Sequence, residues 1–361
     1  PDTRIFMQNS VANWVHVARK IEQSLIKHFS LLKIEHQRFV KKKIKVVFFP
    51  GTARYVESLC DALQTSSIET VRLGDHTQTL EEVFESIKLC SPDIVHLHWP
   101  EKLTRRGRRV NVKVELNQLK KCLSYFQQHN IKIVLTAHNL MPHEKFDIAY
   151  QQQVYRTTIN SSDAIIHHST TGSERFVNEY KCQKCTHYIV PHAYFSGLDK
   201  RECKDQARKS SSLSKSKSIF MTVGLVRPYK HLEFLISAIS ERQNSDDEFW
   251  IVGLITPGYR DELLRLAEKC RLTIIFKGQL SQHELEATSH AVDLLVFAHG
   301  AHELTSASPH LSHTLLIPQV SPFSNYGNEV LGELGFWYEA GDAKSFLAQI
   351  KSALGADQSE F

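Results

Sequence analysis

Val223-Gly224-Leu225-Val226-Arg227-Pro228-Tyr229-Lys230-His231-Leu232-Glu233 reads as a strand end, a glycine turn, two cations and the start of a helix. In an open α/β sheet, ligands bind outside the carboxyl ends of the strands, so Gly224, Arg227 and Lys230 stand where a ligand is expected. Paired cations there suit a diphosphate, whose charge grows as it leaves. A second stretch, Leu304-Thr305-Ser306-Ala307-Ser308-Pro309, follows an apolar run at 294–298 and precedes a helical pattern. Hydroxyls and unpaired N–H groups at a helix start cradle phosphate, and Pro309 suits the first helical turn. Plain capping of the helix by Ser308 is the alternative at that position.

The pattern around these stretches repeats in both directions. After residue 219, strand candidates at 219–223, 249–252, 273–277 and 294–298 alternate with helical stretches at 232–240, 260–269 and 282–289, and a last helix is expected at 343–354. Before residue 195, strands at 46–49, 70–73, 94–98, 131–136, 164–168 and 188–190 alternate with helices at 54–64, 80–90, 114–128 and 173–180. Short apolar strands separated by helices signify parallel sheets covered on both faces. The expected fold class is α/β, two doubly wound domains facing a cleft. Their expected spans are 44–195 and 219–361. The charged, serine-rich span 196–218 reads as an exposed linker. Residues 1–43 form an extension whose span 10–38 has the apolar spacing of an amphipathic helix, ending in Lys41-Lys42-Lys43.

At 361 residues, with 42% hydrophobic and 23% charged residues, the chain suits two globular cores. No apolar run approaches the roughly 18–20 residues that cross a bilayer, and no signal peptide is evident. The seven cysteines, an odd number scattered along the chain, read as reduced thiols in a cytoplasmic compartment. The net charge of +5 makes no case for nucleic acid, since no binding motif accompanies it. Cys182-Gln183-Lys184-Cys185-Thr186-His187 has ligand-like spacing, but structural zinc generally takes two such pairs and the second is missing, so no metal is expected.

Five blocks in order carry a family resemblance. They are Pro92–Glu101, with His96, His98 and Trp99; Thr136–Glu144, with His138, Asn139 and His143; Val190–Tyr194, with His192; Gly224–Glu233; and Thr305–Ser308 followed by Ile317-Pro318-Gln319-Val320. Together they resemble GT-B glycosyltransferases, and most nearly the bacterial exopolysaccharide and capsule enzymes around glycosyltransferase family 4. The resemblance covers roughly residues 44–354.

What it implies is an acceptor-binding first domain and a second domain for a nucleotide-diphosphate sugar, which enters as co-substrate with no obligatory cofactor. Arg227, Lys230, Thr305, Ser306 and Ser308 would hold the diphosphate. Glu303 and Gly224 would meet the nucleotide or sugar, and His98, Trp99, His143 and His192 would line the acceptor side. Glu144 and His138 are the expected catalytic residues, with Asp147 a further candidate base. The basic run Arg105, Arg106, Arg108 and Arg109 reads either as a solvated loop or as a surface for anionic headgroups or a lipid-linked acceptor. The setting implied is surface polysaccharide assembly, with the chain cytoplasmic and peripheral at the inner face of the plasma membrane. Three departures keep other outcomes open. Leu311 stands where the family's second glutamate falls, eight positions after Glu303; Leu225 replaces the usual arginine after the glycine, with Arg227 two places later; and His231 stands where glycine is usual. They leave the donor sugar and the inverting or retaining outcome undecided, and admit a non-catalytic GT-B-like binding or scaffold subunit.

Overall fold

The computed structural model describes residues 43–356 apart from 66, 75–77, 105–110, 143–146, 183, 193–203, 211–212, 215–216, 300–303 and 333–334. The amphipathic helix expected over 10–38 lies outside the described residues, as do Arg105, Arg106, Arg108, Arg109, His143, Glu144 and Glu303. The chain divides into two units, the first ending at Ala193 and the second beginning at Tyr194.

The first unit runs β1 (Ile44–Phe49), α1 (Arg54–Leu63), β2 (Ile68–Arg72), α2 (Leu80–Cys90), β3 (Ile94–His98), α3 (Val112–Gln128), β4 (Lys132–Thr136), α4 (Ile148–Ser161), β5 (Ala164–His167), α5 (Thr170–Tyr180) and β6 (Thr186–Ile189). Its strands form one parallel sheet in the order β2-β1-β3-β4-β5-β6. The order reverses between β1 and β3, so the switch point of the sheet opens there. Successive side chains of β1 go to opposite faces. Val46 and Phe48 join Val56, Leu59 and Leu63 of α1 in one cluster, while Val47 and Phe49 are buried on the other side. Helix starts are written locally: Thr79 and Glu82 make a reciprocal capping box on α2, and Ser169 accepts from the Gly172 N–H at the start of α5.

The second unit runs α6 (Lys204–Ser210), β7 (Ile219–Val223), α7 (Leu232–Ser240), β8 (Glu248–Val252), α8 (Tyr259–Cys270), β9 (Thr273–Gly278), α9 (Gln282–Ser289), β10 (Leu294–Val296), α10 (Ser308–Leu315), β11 (Gln319–Pro322), α11 (Asn325–Leu331), β12 (Gly335–Tyr338) and α12 (Ala343–Gly355). Its sheet has the order β12-β11-β10-β7-β8-β9, again all parallel, with the switch point between β7 and β10. Alternation divides the strands between two cores. Phe220, Phe249, Ile251, Leu294 and Val296 pack on the α7, α8 and α12 side, and Ile219, Met221, Trp250, Val252 and Leu295 on the other.

One expectation is corrected. Residues 204–210, read as part of an exposed linker, form helix α6, whose Arg208 is 3% exposed. The Arg208 guanidinium pairs with buried Asp293 and donates to the carbonyls of Ala291 (3.0 Å) and Lys217 (2.9 Å), while Lys204 Nζ reaches Asp293 at 2.8 Å. Charge density resembled solvated chain, but these charges have buried partners far along the sequence.

Candidate functional site

In the first unit, the ladder aligns His98 with Thr136 and Thr136 with Ile166, so the carboxyl ends of β3, β4 and β5 lie side by side. Each strand continues into a histidine or ends on one. His98 closes β3, His138 follows β4 by two residues, and His168 follows β5 directly. All three are buried, as is His192 beyond β6. Tyr55, at the start of α1 behind the β1 end, meets every one of them: ring centroids lie 5.7 Å from His98, 5.2 Å from His138, 5.2 Å from His168 and 4.7 Å from His192. Trp99 takes a left-handed backbone (φ 49°) and stacks on His138 at 4.3 Å and 14°.

The polar atoms in this cluster are sparingly matched. His98 Nδ1 and His138 Nε2 share a hydrogen bond at 3.1 Å, and His96 Nε2 lies 2.8 Å from Thr136 Oγ1. His168 Nδ1–H donates to the Val190 carbonyl at 2.9 Å, which leaves its Nε2 as an acceptor. His98 Nε2 and His168 Nε2 are buried with no hydrogen-bond partner among the described residues. Buried polar atoms are normally satisfied, so two such nitrogens at a sheet's carboxyl edge suit a ligand rich in hydroxyls. Burial holds the imidazoles neutral. It lowers His96 and His168 to about 3, and it drives His98 and His138 well below the ordinary histidine range, each pushed further by its neighbouring histidines. Imidazoles so weakly basic orient a hydroxyl better than they deprotonate it.

Sequence reasoning brought His98, Trp99, His138 and His192 to one place, and the fold gathers them there. It passed over Tyr55 and His168. Tyr55 follows Phe49-Pro50-Gly51-Thr52, the turn after the first strand, and that position at the switch point was the available signal. His168 sits in a His167-His168 pair that period-two alternation splits: His167 turns to His187, and His168 to the cluster. Asp147 is engaged as the N-cap of α4, accepting from the Tyr150 N–H at 3.1 Å.

In the second unit, Gly224 follows β7 at φ 119°, where a side chain is strained. A Cβ built there would lie 2.8 Å from Lys230 Nζ, so the ammonium rests directly over the glycine. Lys230 is 9% exposed and ends a 3₁₀ turn, Pro228–Lys230; His231 then takes a left-handed backbone (φ 52°) as α7 begins. Gly253 after β8 packs as closely, since its Cβ would clash with the Gly224 carbonyl oxygen at 1.9 Å. Leu225 is half exposed, and Arg227, two residues beyond it, is half-buried.

The segment after β10 meets this turn, with Tyr229 and His299 edge to face at 6.0 Å. Helix α10 then begins without a side-chain cap, which sets aside simple capping by Ser308. Ser306 and Ser308 hydroxyls lie 3.3 Å apart, and Thr305 Oγ1 is buried without a partner among the described residues. The uncapped start of α10 and three hydroxyls, of which Thr305's is the orphaned one, are groups of the kind that bind anions, and they follow β10, the strand next to β7. Leu311 packs toward the core formed by Leu295, Phe297 and Leu315, which accounts for an apolar residue eight positions after Glu303.

Residues 204–306 match the family model for glycosyl transferases group 1. Among solved structures, the chain is similar to sucrose-phosphate synthase from Thermosynechococcus elongatus, with 15% identity, TM-score 0.66, and 88% of this chain and 91% of that one covered. It is also similar to a glycosyltransferase from Rickettsia africae (14% identity, TM-score 0.61, 88% and 90% covered) and to Anabaena HepE in complex with UDP (13%, TM-score 0.60, 86% and 90%). A comparison with curated proteins finds no match. No described helix is long and apolar enough to cross a membrane. The chain thus has the fold of the GT-B glycosyltransferases it is similar to, and its region 204–306, which holds Gly224, Lys230 and Thr305, matches a glycosyltransferase family model.

Proposed function

We propose that the chain transfers a hexose from a nucleotide-diphosphate sugar to a glycan or lipid-linked acceptor in surface polysaccharide assembly. Arg227 and Lys230, with Thr305, Ser306 and Ser308, hold the diphosphate, and Glu303 and Gly224 meet the nucleotide or sugar. The observation that carries this reading is the buried Lys230 ammonium over Gly224, at the switch point of a sheet whose sequence matches a glycosyltransferase family. A fixed cation with little water around it stabilises a leaving diphosphate far more than a solvated one does. On the acceptor side, the neutral histidines orient a hydroxyl and His138 acts by hydrogen bonding, which assigns proton removal to Glu144. The basic residues Arg105, Arg106, Arg108 and Arg109 meet an anionic acceptor or headgroups at the cytoplasmic face of a membrane.

The test is a nucleotide-sugar panel, opened with UDP-sugars because Anabaena HepE is seen with UDP and with UDP-glucose. A true donor at 100 times its Kd raises stability by about 2.7 kcal/mol. Lys230→Met retains the stem and removes the charge, so this gain should vanish and turnover fall by about 10²-fold or more. Equal donor stabilisation in the variant would sink the assignment. A second reading, a binding subunit without turnover, is favoured by the apolar environment of Leu311. Such a subunit would bind donor and release no nucleotide, with or without acceptor.

A further inference from the structure

The connection from α5 to β6 holds chemistry that glycosyl transfer does not use. Lys181 ends α5 in a left-handed turn (φ 50°), its N–H donating to the Val177 carbonyl at 2.7 Å, and the chain then places Cys182 and Cys185 in the interior. Two residues on, His187 lies in β6 beside Ile165 of β5. One donor atom from each of Cys182, Cys185 and His187 lies within 4.8 Å of the other two. Cys185 Sγ stands 3.6 Å from His187 Nε2. The edge of a tetrahedron with metal–sulfur near 2.3 Å and metal–nitrogen near 2.0 Å is about 3.5 Å, so this pair is already at ligand separation. A sulfur–sulfur edge is about 3.8 Å on the same geometry, within a small side-chain adjustment of the 4.8 Å limit.

The imidazole is also held for the task. His167 Nε2 bonds His187 Nδ1 at 2.8 Å, and the rings stack at 5.1 Å and 18°. A ligating histidine characteristically has its second nitrogen fixed in this way, so that the first presents a lone pair to the metal. His187 Nε2 lies 3.6 Å from Cys185 Sγ, and its N–H donates to the Cys182 carbonyl at 3.1 Å. Metal binding takes the other tautomer, in which Nδ1–H donates to His167 Nε2 and Nε2 gives its lone pair to the metal.

We propose that Cys182, Cys185 and His187 bind one divalent cation of the zinc class, with water or a small anion as the fourth ligand. Two sulfurs and one imidazole select zinc over magnesium or calcium, which prefer oxygen. Binding replaces the two thiol protons with the metal. The site lies at the amino end of β6, away from the carboxyl edge where the histidine cluster gathers, so its role is to fasten the sheet. β6 is an edge strand of four residues, two exposed and two half-buried, with little apolar burial to hold it. A cation that joins the loop to this strand supplies what packing there lacks. The missing second ligand pair, which argued against zinc in the sequence, is offset by an orienting histidine contributed from the neighbouring strand.

The full-length chain, reduced, stripped of metal and kept from oxygen, is titrated with Co²⁺ as the probe. One equivalent should produce a thiolate-to-cobalt charge-transfer band with intense tetrahedral visible bands, and Zn²⁺ should displace it and raise the Tm. Cys182→Ser/Cys185→Ser and His187→Gln should each weaken binding by at least about 10²-fold. His167→Phe, a change in a positioning residue, should weaken it by about 10-fold. No charge-transfer band, or an undiminished one in the double variant, overturns the proposal. If that variant does not fold, alkylation of the native chain decides: Zn²⁺ should shield Cys182 and Cys185 from iodoacetamide, and equal labelling with and without Zn²⁺ overturns it. A Cys182–Cys185 disulfide in chain never exposed to oxidant overturns it as well.

Discussion

Gly224 concentrates the donor-side argument in one residue. Its φ of 119° belongs to backbone that side chains avoid, and the Lys230 ammonium fills the space a Cβ needs. Gly224→Ala should therefore cost about 1–3 kcal/mol in urea unfolding and displace the ammonium, so nucleotide-diphosphate affinity should fall alongside stability. An alanine variant with native affinity would separate Lys230 from the ligand. His231 makes a milder case, since histidine tolerates the left-handed region better than most residues. His231→Val should cost about 1–2 kcal/mol, whereas His231→Gly should stay near the native value. Glu144→Gln tests the acceptor side, because it removes basicity and keeps shape: transfer should drop by about 10²-fold with donor affinity intact, and the product should invert the donor's anomeric configuration. Retained configuration would remove the need for that base.

At the scale of elements, α6 makes the clearest prediction. Arg208→Met removes the guanidinium and leaves Asp293 buried with Lys204 as its remaining cation. A stability loss of about 3 kcal/mol or more is expected from equilibrium unfolding, because breaking one side of a buried pair strands the other. A loss under about 1 kcal/mol would return α6 to the status of solvated linker. The helix also shows where sequence legibility stops. Strands such as β3 and β7 were readable because burial on both faces demands short runs of mostly apolar residues. Apart from the nearby Lys217 carbonyl, the partners of α6's cations lie 83 to 89 residues along the chain, at Ala291 and Asp293, and nothing local announces them. β11 and β12 have four residues each, with Ser321 and Pro322 interrupting the apolar pattern of β11 and β12 too short for a periodicity to show. In the candidate site, His98 and His138 were legible because each stands at a strand end within a recognisable block. Tyr55 and His168 enter only through strand order, which places the start of α1 and the end of β5 around one cluster.

At the scale of the whole molecule, acid should destabilise the first unit. His96, His98, His138, His167 and His168 of that unit all carry depressed pKa values. A group whose folded pKa lies below its unfolded value of 6.5 takes up a proton on unfolding in the interval between the two. Its stabilising contribution is complete above about pH 6.5 and is lost as pH falls toward the folded value, which is about 3 for His96 and His168. Each contributes a slope of about 1.4 kcal/mol per pH unit, hence about 2 kcal/mol lost by pH 5. His96 and His168 alone then remove about 4 kcal/mol, a large share of ordinary domain stability. Calorimetry at pH 7, 6 and 5 should show the first unit's transition moving to lower temperature. Tyr55→Ala would open the cluster to water, raise those pKa values and flatten the first unit's pH dependence. A first-unit transition that stays level between pH 7 and 5 would mean that water already reaches these rings, and the cluster would then offer a hydroxyl ligand nothing that solvent does not.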